Sequence, residues 1–131
     1  MTRSTLHSHD TNYSSVTWHQ SQVCKGMRFA IRRISLLQRI EITKRVRELT
    51  LQNDFLRNGD MSEQLDAVLG ELLAKRLYLE WGLAEIEGLT IDGAAATPLL
   101  LIDKGPESLA EEIVAAIMGE LQLTDEERKN F

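Results

Sequence analysis

The segment SEQLDAVLGELLAKRLYLEWGLAEIE, residues Ser62 to Glu87, decides the fold. Its large apolar residues recur at alternating four- and three-residue steps, with Arg76 filling the one gap, and they are Leu65, Leu69, Leu72, Leu79, Leu83 and Ile86. These steps place the side chains on one stripe of a helix that has 3.6 residues per turn. A helix this apolar does not stand alone in water. We therefore predict one long helix over residues 62–87, with a stripe that the rest of the chain must cover.

The composition fits a small globular protein outside the membrane. The chain has 131 residues, of which 43% are hydrophobic and 27% are charged. Its longest apolar run, Ala94 to Ile102, is far shorter than the ~20 residues that span a bilayer. The N-terminus lacks the apolar core of a signal peptide, and Cys24 is the only cysteine, which excludes an internal disulfide. We expect a cytoplasmic protein with no membrane partner.

Charge is divided unevenly along the chain. Residues 1–50 carry nine Lys or Arg and three Asp or Glu, a net charge of +6, whereas the remainder carries six and seventeen, a net charge of −11. This asymmetry favours head-to-tail contact, either within one molecule or between copies in a homo-oligomer. It argues against nucleic-acid binding by the chain as a whole.

The patterning of the N-terminal part changes near residue 16. We divide the chain into a flexible polar tail at 1–15 and a single helical domain at 16–131. Met27, Phe29 and Ile31 alternate with basic or small residues, which is the period of a half-buried strand. Val16 and Trp18 supply the predicted partner strand of a small N-terminal hairpin.

Ser35 begins the next predicted helix, which runs to about Asn58. Gln38 follows three residues later, at the spacing of a capping box. The apolar residues of this helix form two stripes. One stripe comprises Ile42, Val46, Leu49 and Leu56, and the other comprises Leu36, Leu37, Ile40, Leu51 and Phe55. Such a helix is either sandwiched inside its domain or packs its domain on one side and a second copy on the other.

The remaining signals predict a mainly α protein of the α+β class with short C-terminal helices. The connection over 57–61 is short, which favours an antiparallel helix pair. Asp92-Gly93 is a hairpin turn signal, and Thr97-Pro98 has the residues of a helix N-cap and first turn. We predict a further helix over 107–122 and a separate terminal turn capped by Thr124.

No arrangement of residues predicts catalysis, and we expect neither an enzyme nor a bound cofactor. The three histidines and Cys24 match no tetrahedral zinc spacing. A nucleophilic pair of Cys24 and His19 lacks a third, orienting group. Adjacent acids such as Glu111 and Glu112 lie on polar helix faces, so we interpret them as solvated rather than as general acids or bases.

Two sets of side chains are candidates for contact with a partner. Arg28 and Arg32 share one strand face and begin a basic surface that extends to Arg47. With an aromatic ring beside it, this surface is typical of a small nucleic-acid-binding regulator, and the alternative is a solvated or acid-paired face. Tyr78 and Trp81, three residues apart, are either core residues or an interface anchor.

Two longer stretches combine several motifs. They are FAIRRISLLQRIEITKRVREL, Phe29 to Leu49, and YLEWGLAEIEGLTIDGAAATPLLLIDKGPESLAEEIVAAI, Tyr78 to Ile117. The marks are a basic strand that enters a helix through a serine cap, a GL-x-IDG turn after a long helix, and an ATP…L…GP-x-x-L-x-x-EI ending. Together they resemble the tail assembly chaperones encoded in the tail-gene clusters of long-tailed phages and prophages. The resemblance extends over most of residues 27–131.

The resemblance implies a non-enzymatic protein of the host cytoplasm. It would bind the tape measure protein, keep it soluble, and help recruit the tail tube protein. Long apolar stripes on an unassembled tape measure need a complementary apolar face. Our candidate face is the second stripe of the 35–58 helix, and the further candidate contacts are Arg28, Arg32, Tyr78 and Trp81.

Overall fold

The computed structural model describes the backbone of residues 11–55 and 61–129, and the side chains of residues 11–51 and 64–121. The described part contains four α-helices and five short strands. In chain order they are β1 (Val16–Gln20), β2 (Arg28–Arg32), α1 (Leu36–Phe55), α2 (Met61–Gly82), β3 (Leu83–Glu87), β4 (Thr90–Ile91), β5 (Ala94–Ala95), α3 (Pro98–Lys104) and α4 (Glu107–Lys129). The predicted mainly α, α+β class is confirmed. Most of the tail predicted at 1–15 lies outside the described residues.

A three-stranded antiparallel sheet opens the fold, with β2 in the middle. β1 and β2 pair as the predicted hairpin, with Trp18 opposite Ala30. Gly26 turns the chain into β2 with a φ of +88°, which suits glycine because it has no Cβ to clash. On the other edge, β3 pairs with β2 through Phe29 opposite Ile86, and the register shifts between Ala30 and Ile31. The third strand was not predicted.

The prediction of one helix over 62–87 is wrong at its C-terminal end. α2 stops at Gly82, and residues 83–87 form β3. Burial alternates from Ala84 to Glu87, where Ala84 and Ile86 are half-buried and Glu85 and Glu87 are exposed, which is the period of a strand. A three-residue step puts two side chains on opposite faces of a regular strand, but the register shift pairs Leu83 with Ile31 and Ile86 with Phe29, so both lie on the same face of the sheet. Pairing with β2 satisfies the backbone hydrogen bonds of this segment and decides the outcome.

The core forms where β2 meets α2, α3 and α4. Its fully buried large side chains are Met27, Phe29, Ile31, Leu101, Leu109, Ile113 and Ile117. Gly82 permits the closest approach, because a Cβ at this position would lie 2.9 Å from Ile117 Cδ1. A side chain at this position would overlap the side chain of Ile117, because the core is closely packed at the end of α2.

Several local signals act as predicted. Ser35 Oγ accepts a hydrogen bond from the Gln38 backbone N–H at 3.2 Å, so one half of the capping box forms. Thr97 caps α3, with its Oγ1 accepting from the Leu100 N–H at 3.2 Å and Pro98 in the first turn. The tiny β4–β5 hairpin turns at Asp92 and Gly93, both with positive φ, as two-residue hairpin turns require.

The predicted break after residue 122 is wrong. α4 continues without interruption to Lys129, so Thr124 does not begin a separate turn. No glycine or proline lies between residues 120 and 129, and therefore nothing in the backbone forces the helix to stop.

α1 and α2 form the predicted antiparallel pair. Ile42 and Tyr78 line one groove between them, and Leu49 and Leu73 line another. The connecting residues 56–60, including the predicted caps at Gly59 and Asp60, lie outside the described residues. Within the described part, no helix is both long enough and apolar enough to cross a membrane.

Candidate partner-binding surface

One face of α1 exposes a row of large apolar side chains. Leu36, Leu37, Ile40 and Leu51 are all exposed, with Leu36 at 72%. At 100° per residue these four positions fall within an arc of about 100°. We call them the α1 outer stripe. They are four of the five residues of the second predicted stripe, and the side chain of the fifth, Phe55, lies outside the described residues.

The opposite side of α1 faces α2. Ile42 is the one buried residue among the described side chains of α1. Val46 and Leu49 are half-buried and line the two grooves between α1 and its neighbours. The first predicted stripe thus attaches α1 to α2, and the second is left to solvent.

A second exposed row lies on the N-terminal half of α2. Leu65, Val68, Leu69 and Leu72 are exposed, with Leu65 at 66%. We call these four residues the α2 outer stripe. They were predicted to be covered, and this part of the prediction is wrong. Farther along the same helix, Leu79 is buried in the core, so one continuous sequence stripe is half core and half surface.

The position at which α4 begins determines which part of α2 is covered by α4. Glu111 in the second turn of α4 pairs with Lys75, and Ile117 packs at Gly82. α4 therefore runs parallel to the C-terminal half of α2. Its first residues reach the level of Leu72, with which Glu107 lines a shared groove. Residues 65–69 lie beyond this end and have no neighbour from α4.

Tyr78 and Trp81 lie against the core. Both are half-buried and pack on the buried cluster, which favours the core interpretation over an exposed anchor. Burial raises the pKa of the Tyr78 phenol above its ordinary value of 10.0, because the charged phenolate is poorly solvated there. Trp81 Nε1 is buried and has no hydrogen-bond partner among the described residues.

A groove of about 380 Å³ opens beside Tyr78, between α1, α2 and α4. Ile42, Val46 and Met118 form its apolar wall, and Arg39 and Arg47 also line it. Tyr78 is therefore reachable from this groove on one side, although most of its contacts are internal.

Arg28 and Arg32 lie at the two ends of β2, on the sheet rather than on α1 or α2. The guanidinium of Arg28 lies 4.1 Å from the centroid of the Trp18 ring, and its Nε donates to Glu87 Oε1 at 2.7 Å. Arg32 is exposed at the end of β2. The nine predicted contact residues therefore do not form one site. Four form the α1 outer stripe, and the others lie on the sheet, in the core, or outside the described side chains.

One acidic residue plays a role that the sequence did not reveal. Glu112 Oε1 accepts from the hydroxyl of Ser21 at 2.6 Å, and Glu112 Oε2 accepts from the backbone N–H of Gln22 at 2.7 Å. Ser21 is buried, and its Oγ also accepts from the Cys24 N–H at 2.9 Å. The interpretation of Glu112 as solvated is wrong, because it ties the β1–β2 connection to α4.

His19 and Cys24 are the described members of the residue set weighed above as metal ligands or as a nucleophilic pair. His19 stacks on Phe29 with ring centroids 5.5 Å apart, and Cys24 is a half-buried free thiol. In the described part of the chain, no group of three or more His, Cys, Asp or Glu is placed to hold a metal ion. The two outer stripes are the rows of exposed large apolar side chains on α1 and α2.

Comparison of the chain with protein-family models, with curated proteins and with solved structures found no match. The surfaces described above therefore have to be interpreted from their own chemistry.

Proposed function

We propose that this protein is a non-enzymatic assembly chaperone of the phage tail type, which covers apolar helices of a tape measure protein and helps bring tail tube subunits to it. The α1 outer stripe is its contact face. The observation that carries the proposal is the exposure of Leu36, Leu37, Ile40 and Leu51 on one side of a helix that attaches to its own domain by the other side.

An exposed helix face of this kind suits a helical client. Scattered apolar residues are normal on a protein surface, but an aligned row marks an interaction site. A client helix that lays its own stripe along α1 would bury both rows. Lys44 and Arg47 are exposed within the same arc as the stripe, so the preferred client helix carries acidic residues beside its apolar ones.

The type of client comes from the motif resemblance. The strand-to-helix motif at 29–49 contains β2 and the greater part of α1, including three of the four stripe residues. The second motif region, 78–117, contains the core that holds α2, α3 and α4 together. Both support the same assignment, in which one region provides the contact face and the other provides the scaffold.

The nucleic-acid alternative receives less support. It uses the basic surface from Arg28 to Arg47, and within that surface Glu87 and Trp18 already hold the Arg28 guanidinium. Arg33 Nε likewise donates to Thr17 Oγ1 at 2.9 Å. Binding to DNA or RNA would show a steep dependence on salt concentration, and its absence in low salt would remove this alternative.

Co-expression with a tape measure protein tests the proposal. The chain should increase the soluble fraction of the tape measure and co-purify with it. Leu37→Asp and Leu51→Asp should each abolish both effects, because a carboxylate in the stripe has to be desolvated on contact. Val23→Asp is the matched control, since Val23 is also exposed but lies in the β1–β2 connection.

Circular dichroism and thermal unfolding show whether the three variants are folded. These measurements separate a loss of binding from a loss of structure. All three should remain folded, because the substituted side chains are exposed. A tape measure that stays insoluble with the wild-type chain would overturn the proposed function. Equal solubilisation by wild type and by folded Leu37→Asp would overturn the assignment of the face.

A further inference from the structure

Two apolar stripes are exposed on this chain, and their charged surroundings have opposite signs. We propose that a second copy of the chain covers them, with the α1 outer stripe of one copy docked on the α2 outer stripe of the next. This inference goes beyond the proposed function, because it concerns the protein without a client and does not depend on what the client is.

The two faces match in character, because each is a row of exposed aliphatic side chains on a helix. The α1 outer stripe extends from Leu36 to Leu51, which is about 22 Å of helix. The α2 outer stripe is shorter, but it continues along the groove that Leu72 and Ile102 line, toward Leu99 on α3. Leu99 is 74% exposed. Arg76 also lines both of these grooves, so the exposed apolar surface on the α2 side extends onto α3 beside one cation.

The charges beside the two faces are complementary. Lys44 and Arg47 are exposed within the α1 outer stripe. Beside the α2 outer stripe, Lys75 Nζ lies 2.7 Å from Glu111 Oε2, and the nearby carboxylates of Glu107 and Glu71 help to raise the pKa of Lys75. Arg76 lies in the same row of α2, with its Nε 3.9 Å from Glu80 Oε2, so four carboxylates accompany two cationic groups beside this stripe and the local charge is net negative.

This charge pattern selects one of the three ways in which two copies can pair. Two α1 faces would bring Lys44 and Arg47 of both copies together, and two α2 faces would bring the carboxylates together. Contact between like charges weakens an interface. Only the pairing of α1 with α2 places the cations against the acids.

An α1-to-α2 contact is heterologous, which determines the form of the assembly. In such a pair, one copy keeps its α2 outer stripe unoccupied and the other keeps its α1 outer stripe unoccupied. Further copies therefore add head to tail and form either a closed ring or an open chain. Each face holds fewer than the roughly 20–30 residues of a standard stable interface. We therefore expect association that depends on concentration and proceeds beyond a dimer.

Charge-swapped variants test this arrangement by sedimentation velocity. The first variant carries Lys44→Glu and Arg47→Glu, and the second carries Glu71→Lys and Glu107→Lys. Wild type should form species larger than a dimer as its concentration rises. Each variant alone should be monomeric, because its two faces carry the same sign. An equimolar mixture should regain the assemblies, because each variant then finds complementary faces on the other.

The outcomes separate the proposal from its rivals. A wild type that is monomeric at every concentration would overturn the proposal, and so would a mixture that stays monomeric. If only the second variant loses association and the first behaves as wild type, the contact is a symmetric α2 pair instead. Because no client is present, failure of the tape measure experiment would leave these results unchanged.

A second pair of variants applies if a charge-swapped chain does not fold. Leu37→Ser and Leu69→Ser each remove one large apolar side chain from one of the two exposed stripes, and each should abolish association. Val23→Ser should associate as wild type does. Association that survives both stripe substitutions would exclude these faces as the interface.

Discussion

Leu69 and Leu109 are leucines on two neighbouring helices, but Leu69 is exposed and Leu109 is buried. Leu109 of α4 is 0% exposed in the core, whereas Leu69 of α2 is 52% exposed. Both belong to regular apolar stripes in the sequence. The comparison teaches that a stripe reveals which side of a helix is apolar, but not whether another element reaches far enough to cover it.

The difference arises from the relative placement of the helices. α2 has 22 residues and is about 33 Å long. The β2–β3 sheet, α3 and the start of α4 gather around its C-terminal half, where Leu79 is buried. The closed core therefore ends near Leu72. Beyond that level α2 has α1 as its neighbour, and the sides of the pair that face outward remain exposed.

The largest effect should come from comparing these two leucines directly. Leu109→Ala should lower the free energy of unfolding by about 2–5 kcal/mol, because it removes buried surface and leaves a cavity. Leu69→Ala should change the free energy of unfolding by less than about 0.5 kcal/mol. Urea denaturation of dilute protein, in which association contributes little, measures both. Equal losses would show that the α2 outer stripe is covered within one molecule.

The next effect concerns the two adjacent acids on α4. Glu112→Ala should cost about 1.5–3 kcal/mol of unfolding free energy, because a carboxylate that accepts from Ser21 and Gln22 is lost and the buried hydroxyl loses its partner. Glu111→Ala is the matched control. It removes an exposed ion pair with Lys75, which is worth about 0–1 kcal/mol. Similar losses for the two variants would contradict the role of Glu112 in tying the β1–β2 connection to α4.

Two helical glycines provide a third test of close packing. Gly82→Ala should cost about 1–3 kcal/mol, because the new methyl group would meet Ile117. Gly119→Ala should instead stabilise the protein by up to about 1 kcal/mol, because alanine is a better helix former and nothing lies within 4 Å of the added Cβ. Thermal unfolding distinguishes the opposite signs. A neutral Gly82→Ala would mean that the end of α2 is less tightly packed than the geometry indicates.

The smallest effect is a dependence on alkaline pH at the boundary between the core and α1. Burial raises the pKa of Tyr78 in the folded state above its unfolded value of 10.0. The native state therefore holds this proton more tightly. The contribution of Tyr78 to the free energy of unfolding is constant below about pH 10 and falls as pH rises through the folded pKa. Tyr78→Phe should reduce this fall in urea denaturation curves measured across that range.

Lys75 acts in the same direction and does not obscure the Tyr78 comparison. Its hydrogen bond to Glu111 raises its pKa, so its contribution is also lost at high pH. That contribution is present in wild type and in Tyr78→Phe alike, and it cancels in their difference. An unchanged alkaline profile in Tyr78→Phe would show that the phenol is solvated through the groove beside α1.

Much of the fold follows from local signals. The alternation at Met27, Phe29 and Ile31 predicted β2, and the caps at Ser35 and Thr97 predicted the starts of α1 and α3. These signals succeed because the residues that decide them are close in sequence. Residues 83–87 were predicted as helix, and the strand was missed because its hydrogen-bond partner, β2, is more than 50 residues away.

The candidate contact face was predicted in part. The two stripes of α1 were separated correctly, and the exposed one was identified because α1 has more apolar surface than one neighbour needs. The α2 outer stripe was missed because an exposed stripe and a buried stripe have the same periodicity. Glu112 was missed because its partners, Ser21 and Gln22, are separated from it by 91 and 90 residues.

The sequence by itself determined which side of each helix is apolar, where most helices begin, and how charge is distributed between the two ends of the chain. These are properties of neighbouring residues and of composition. Only the tertiary structure decided how far the core extends along α2, because that depends on where α4 starts beside it. The result is one leucine stripe that is buried at Leu79 and exposed from Leu65 to Leu72, which turns a predicted core element into a candidate binding surface.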